Sequence, residues 1–303
     1  QRNGYSVRCI KSEADTCFDP DGDGVCPENE ISGCTDEMAC NYAADATQDD
    51  GSCIPSQEDG SSCDDGDEGT FNDAWDAETC SCVGTPYIAE DGSGPCEGQM
   101  TVNYHGYDYL LVEIGDQCWF RENLRNEHYA NGETIPGELS DGEWSGTSNG
   151  AQAIYDNSPA NLADYGRLYN WYAVDDSRGL CPSGWHVPTD GEFMTLEMEL
   201  GMSESEANGT GWRGTDQGTQ IKSSPEDDPS WNGTNTSGFS GLAVGARSHA
   251  GDFSNEAVNG YFWSATADGA DTWSRVLNGG NTGVNRYNYG DLRGGFSVRC
   301  VRD

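Results

Sequence analysis

The sequence predicts an α+β domain carried behind an acidic, disulfide-rich segment with little regular structure. Three observations point there. Ten of the 13 cysteines fall in residues 1–96, among 23 acids and only three bases. Eight of the nine tryptophans lie beyond residue 96, where runs with strand and helix periodicity begin. Glycine makes up 41 of 303 residues, about twice its usual share, which favours turns and short strands over long helices.

Charge narrows the function classes. Fifty-three acids against 15 Lys and Arg leave a formal net charge of −38. Nucleic acid and anionic membrane surfaces demand the opposite sign, so neither is an expected partner. No apolar run reaches the length of a membrane span, so no membrane insertion is expected. Thirteen cysteines in so acidic a chain predict an oxidising, extracellular setting. The chain starts at Gln1 without a signal peptide, so a processed chain or a piece of a longer one is expected.

The first third repeats one small device. An Asp-Gly pair precedes Cys26, Cys53, Cys63 and Cys96. Asp-Gly is turn chemistry, because glycine accepts positive φ. The expected picture is a string of tight turns pinned by disulfides, read most simply as a stalk. Bridges take the place of a core that so short a segment cannot build. The pairing among Cys17 to Cys82 cannot be read from spacing.

One loop in the stalk is sharper. DPDGDGVCPENE, residues 19–30, fits D-x-D-x-D-G-x5-E without a gap. Asp19, Asp21 and Asp23 take the first ligand positions, Gly24 the sharp turn, Val25 a carbonyl ligand and Glu30 the bidentate closing position. Carboxylates this close repel one another unless a cation lies between them, so Ca²⁺ is the expected cofactor. The flanks hold Cys and Pro rather than helix, so the loop resembles the calcium loops of thrombospondin type 3 or dockerin repeats. Asp65, Asp67, Asp73 and Asp76 could hold a second cation, but their loose spacing reads better as surface carboxylates. Residues 33–53 and 61–86 resemble modules of large secreted bacterial surface proteins, the second an EGF-like cysteine module.

Beyond residue 97 the elements follow in order. Residues 101–115 read as two strands around His105-Gly106. Residues 166–174 place Leu168, Trp171 and Tyr172 at helical spacing, predicting a first helix. Residues 189–200 predict a second, opened by a Thr189/Glu192 capping box and closed by Gly201, with Phe193, Leu196 and Leu200 as its buried stripe. Residues 260–266, 272–277 and 295–301 are the clearest later strands.

The blocks GRLYNWYAVDDSRGLCPSGWHVPTDGEFMTLEMELG, SGFSGLAVGARSHAGDF, GYFWSAT and GGFSVRCVRD resemble the Fibrobacter succinogenes major paralogous domain over about residues 97–303. That resemblance implies a C-type-lectin-like fold, with two helices around a twisted, mainly antiparallel sheet and long loops. It implies a secreted or surface protein with no established reaction. It also implies a bridge between Cys181 and Cys300, which then leaves Cys118 for Cys96. The organisation expected is a strand at 1–12, a calcium loop at 13–32, cysteine-rich modules at 33–96 and the lectin-like domain at 97–303.

Catalytic signatures are absent from the sequence. His105, His128, His186 and His249 form no metal-binding pattern, and no nucleophile elbow, phosphate loop or dinucleotide fingerprint occurs. His186 reads as a structural histidine. Trp144, Trp212 and Trp231 lie in polar, loop-like surroundings and could stack on sugar rings, although such residues equally pack onto their own domain. The expected function is therefore a non-enzymatic structural or adhesive surface protein, with a carbohydrate-binding, lectin-like adhesin as the alternative.

The N-terminus adds the expectation of assembly. RNGYSVRCI at 2–10 repeats RGGFSVRCV at 293–301 with a constant offset of 291. Tyr5, Val7 and Cys9 would point inward from such a strand, and Cys9 makes the cysteine count odd. A leftover of a preceding domain is the plain explanation. The sharper one is a strand that docks on another copy of the domain, giving a head-to-tail filament.

Overall fold

The computed structural model describes residues 30–303 apart from Glu68 and Glu90. The chain divides into two compact units. One ends at Gly66 and takes in Asp73–Gly84; the other comprises Asp67–Asn72 and Thr85–Asp303.

Three disulfides organise the described part of the first unit: Cys34–Cys53, Cys40–Cys80 and Cys63–Cys82. Its backbone pairs are minimal. Ser32–Gly33 runs parallel to Gln48–Asp49, and Ser62 bridges Ala74. The Asp-Gly turns form as their chemistry demands: Gly51 and Gly60 both take positive φ. Few apolar side chains are buried here, Cys34, Ala39 and Trp75 among them, so the bridges do much of the holding.

The larger unit overturns the expected α+β class with two helices. It is β-rich, with two main sheets and short helices. The first sheet orders its strands Trp185–His186, Val301–Arg302, Gln117–Phe120, Tyr107–Ile114 and Thr101–Tyr104. The second orders Gly211–Arg213, Val284–Tyr289, Asp271–Asn278, Asn259–Asp268, Phe296–Ser297, Leu168–Tyr169 and Gln152–Ala153. All neighbours are antiparallel except Asn259–Asp268 with Phe296–Ser297, which pair in parallel at Phe262 and Ser297.

Six helices occur among the described residues, and five of them have only four to six residues. The exception is Asp190–Glu199, capped as its sequence requires. Thr189 accepts from the Glu192 N–H, Glu192 accepts from the Thr189 N–H, and Gly201 takes φ +95° beyond the end.

The other expected helix, 166–174, splits for a physical reason. Leu168–Tyr169 is claimed as a strand by Phe296–Ser297 on one side and Gln152–Ala153 on the other. Only Trp171–Val174 remains helical, started by the Asn170 carboxamide accepting from the Ala173 N–H. The apolar spacing is real, but the two ladders take its first residues.

The pair around His105-Gly106 forms as a tight hairpin. Tyr104 faces Tyr107, and His105 and Gly106 both sit at positive φ, the conformation of the turns that match strand twist. Between the sheets lies an aromatic core. Trp263 packs on Phe296 with ring centroids 4.1 Å apart, and Tyr109 stacks on Phe120 at 4.7 Å. No helix among the described residues is long and apolar enough to cross a membrane.

Candidate functional site

The first unit gathers Asp64, Asp65 and Asp73 so that one carboxylate oxygen of each lies within 4.8 Å of the others. The Cys63–Cys82 bridge anchors the chain beside Asp64. The Asp65 N–H donates to Asp73 Oδ2 at 3.1 Å, and Asp65 Oδ2 accepts from the Gly84 N–H at 3.0 Å. Asp73 Oδ1 is buried with no hydrogen-bond partner. A buried carboxylate oxygen without a partner is costly, and three converging carboxylates add repulsion. Oxygen donors of this kind suit a hard divalent cation, so these residues fit calcium. Of the four residues considered from sequence, Asp65 and Asp73 belong to this cluster and Asp64 joins them. Asp67 instead accepts from the Gly69 N–H, and Asp76 from the N–H groups of Glu78 and Thr79. The bonds from Thr79 and Glu78 hold the Asp76 carboxyl below its ordinary range.

Of the expected calcium loop only Glu30 falls within the described residues; Asp19, Asp21, Asp23 and Val25 lie outside them. Tyr5, Val7 and Cys9 also lie outside.

In the larger unit Cys96 is joined to Cys118 with Cα atoms 5.0 Å apart, and Cys181 to Cys300 at 5.9 Å. The second bridge ties the final segment to the turn before the long helix. That final segment is wholly interior: every residue from Phe296 to Val301 is at most 2% exposed. Arg299 is the unusual member. Its guanidinium bonds to Asn123 Oδ1 and to the carbonyls of Phe120, Phe239 and Ser240 at 2.7–3.0 Å.

A second buried ionic group fastens the long helix to the sheet. Glu197 accepts from Arg213 at 2.6 Å and from Arg275 at 2.7 Å, and Asp190 accepts from Arg275 and Arg286. Burial alone would raise the Asp190 pKa, but Arg286 and Arg275 hold it below the ordinary carboxylate value. Sequence reasoning passed over these arginines. The available signal was a lone cation inside an apolar strand run, as in TWSRVL and SVRC, within a chain that has 15 Lys and Arg in total.

The three tryptophans singled out for sugar stacking differ in setting. Trp144 is fully buried, its indole N–H donating to the Arg293 carbonyl at 2.8 Å, so it is a core residue and not a stacking platform. Trp212 is 43% exposed on a strand at the margin of the second sheet, opposite Asn285. Trp231 is partly buried, packed against the core with the Lys222 ammonium 5.4 Å from its ring. His186 bridges Glu192 and Asp303 at 2.8 and 2.7 Å, a structural arrangement.

The model of the Fibrobacter succinogenes major domain matches residues 112–302. The chain belongs to this family. No curated protein and no solved structure matches the chain. The matched part of the Fibrobacter succinogenes major domain begins within the strand Tyr107–Ile114 and includes the Cys181–Cys300 bridge and the buried final segment. It starts after the Cys96 end of the other bridge. Membership in this family and five disulfides among the described residues fit an extracellular surface protein.

Proposed function

We infer that this chain is a non-enzymatic structural or adhesive protein of the cell surface, assembled head to tail into a filament stiffened by disulfides and calcium. One observation carries the reading. The segment 293–301, which residues 2–10 repeat, contributes eight consecutive buried residues, 294–301, to its own domain. A sequence with that pattern is built for an interior. Ser6, Val7, Arg8 and Cys9 correspond to Ser297, Val298, Arg299 and Cys300. An arginine held by interior carbonyls and a cysteine facing a disulfide partner suit no solvent-facing strand. In the reading proposed here the copy at 2–10 completes a second domain of this family, contributed by another subunit. Such a contact is heterologous and propagates. In this reading the Asp64, Asp65 and Asp73 cluster is a second calcium site of the cysteine-rich segment, further along the chain than the loop at 19–30, and the ions stiffen that segment.

The test is deletion of residues 1–12. Sedimentation and electron microscopy should then show monomers where the intact chain forms polymers, with near-ultraviolet dichroism unchanged. Polymer that survives the deletion, or an intact chain that is monomeric at all concentrations, overturns the reading.

A further inference from the structure

A cleft of about 190 Å³ opens in the larger unit where the loop after Gln117–Phe120, the helix Asn161–Tyr165 and the segment around the Asp228–Pro229 peptide converge. Its volume corresponds to about six waters at their liquid share. That is smaller than the pockets that take drug-sized ligands and suits a single ring.

The lining carries both signs of charge. Arg121 and Arg125 lie over the Tyr87 and Tyr107 rings, each guanidinium carbon 3.7 Å from the ring centre, and both line the cleft. Arg125 bonds Glu122 at 3.1 Å, and Arg121 bonds Ser240 at 3.4 Å, so N–H groups remain to spare on both. Glu122 is spent: Tyr107, Arg125 and the Leu110 N–H take its two oxygens. Asp164 and Asp228 are exposed at the cleft and form no hydrogen bond or ion pair among the described residues. The fully buried Ser223 also lines the cleft, and its hydroxyl has no partner. Leu110, 40% exposed, adds an apolar patch.

An anion entering here meets Asp164 and Asp228; a metal ion meets Arg121 and Arg125. A neutral ring with adjacent hydroxyls meets neither objection. Its hydroxyls donate to the aspartates and accept from the arginines, while its C–H face rests on Leu110. We propose that this cleft binds one ring of a neutral saccharide. The inference goes beyond the assembly reading and does not depend on it, nor does it use Trp212 or Trp231.

The experiment is an NMR titration of the full chain with methyl glucoside, galactoside and mannoside, with glucosamine and glucuronate as charged comparisons. Saturable binding of at least one neutral glycoside is expected. It should weaken at least tenfold in the double variant Asp164→Asn/Asp228→Asn, and should be unchanged in Trp212→Ala. Both aspartates are exposed, so the variant folds, and its dichroism checks this. No binding at tens of millimolar, a preference for either charged sugar, or binding lost in Trp212→Ala but kept in the aspartate variant each overturns the proposal. Because polymer formation is scored separately, failure here leaves the deletion test of the filament untouched.

Discussion

Arg299 donates through Nε to Asn123 Oδ1 at 2.8 Å, and both side chains are out of water. The other nitrogens of the same guanidinium reach only backbone carbonyls, from Phe120, Phe239 and Ser240. The group thus ties two other chain segments, 120–123 and 239–240, to the final one. Replacing it by Met leaves those acceptors buried and unbonded, at about 1–3 kcal/mol each when nothing relaxes. Arg299→Met should therefore cost several kcal/mol in denaturant unfolding. Arg299→Lys should recover only part of it, because an ammonium cannot spread across four acceptors. Equal stability of wild type and Arg299→Met would show that the site closes over the loss.

Glu197 is the acid on which Arg213 and Arg275 converge, with its side chain 1% exposed. Removing one partner of a buried ionic group strands the others. Glu197→Ala should destabilise by about 3–5 kcal/mol, read from the shift of the guanidinium chloride midpoint. Glu197→Gln, which keeps one acceptor, should lose less.

His186 makes stability depend on pH. Its bonds to Glu192 and Asp303 push its pKa from 6.5 up to about 9, the Glu192 bond contributing most. A histidine raised on folding stabilises fully below its unfolded value, and that contribution disappears as pH climbs through about 9. Burial would raise Glu192, but the His186 and Thr189 bonds keep it low, so its contribution is lost instead as pH falls. The ring is about a third exposed, so screening limits the effect to about 1 kcal/mol or less. Thermal midpoints between neutral pH and pH 10 should fall more steeply for wild type than for His186→Gln.

The Cys181–Cys300 bridge spans 119 residues and both cysteines are buried. Closing so long a loop stabilises by ~5 kcal/mol in the chain-entropy model. The double serine variant should lose roughly that amount. In the native protein this pair should resist reductant until the domain unfolds, which mass mapping of alkylated thiols can follow.

Calcium should act on the cysteine-rich unit. Adding it should slow proteolysis near Asp64 and Asp73, and a chelator should reverse the protection. Asp73→Asn should abolish the response at that cluster while leaving the unfolding of the larger unit unchanged. Identical cleavage with and without the ion would remove calcium from the account.

The division between what was legible and what was not follows the reach of each signal. The His105-Gly106 turn and the Thr189/Glu192 cap involve residues within four positions of one another, so their chemistry is written locally. The helix expected at 166–174 failed because its spacing is a local signal too. It carries no information about the ladders from Phe296–Ser297 and Gln152–Ala153. The carboxylate cluster was half legible, since spacing alone cannot say that Asp64 turns toward Asp73 while Asp76 turns back to Thr79.

By itself, then, the sequence determined the acidic and cysteine-rich character of the first third, the turn positions, the one well-capped helix and the likeness between 2–10 and 293–301. Only the tertiary structure decided the β-rich class, the buried arginines and the cleft beside Leu110. The physical reason is distance along the chain. Arg275 meets Glu197 across 78 residues and Arg299 meets Phe120 across 179, and such partners are chosen by packing, which brings remote charges together only once the sheets have closed around them.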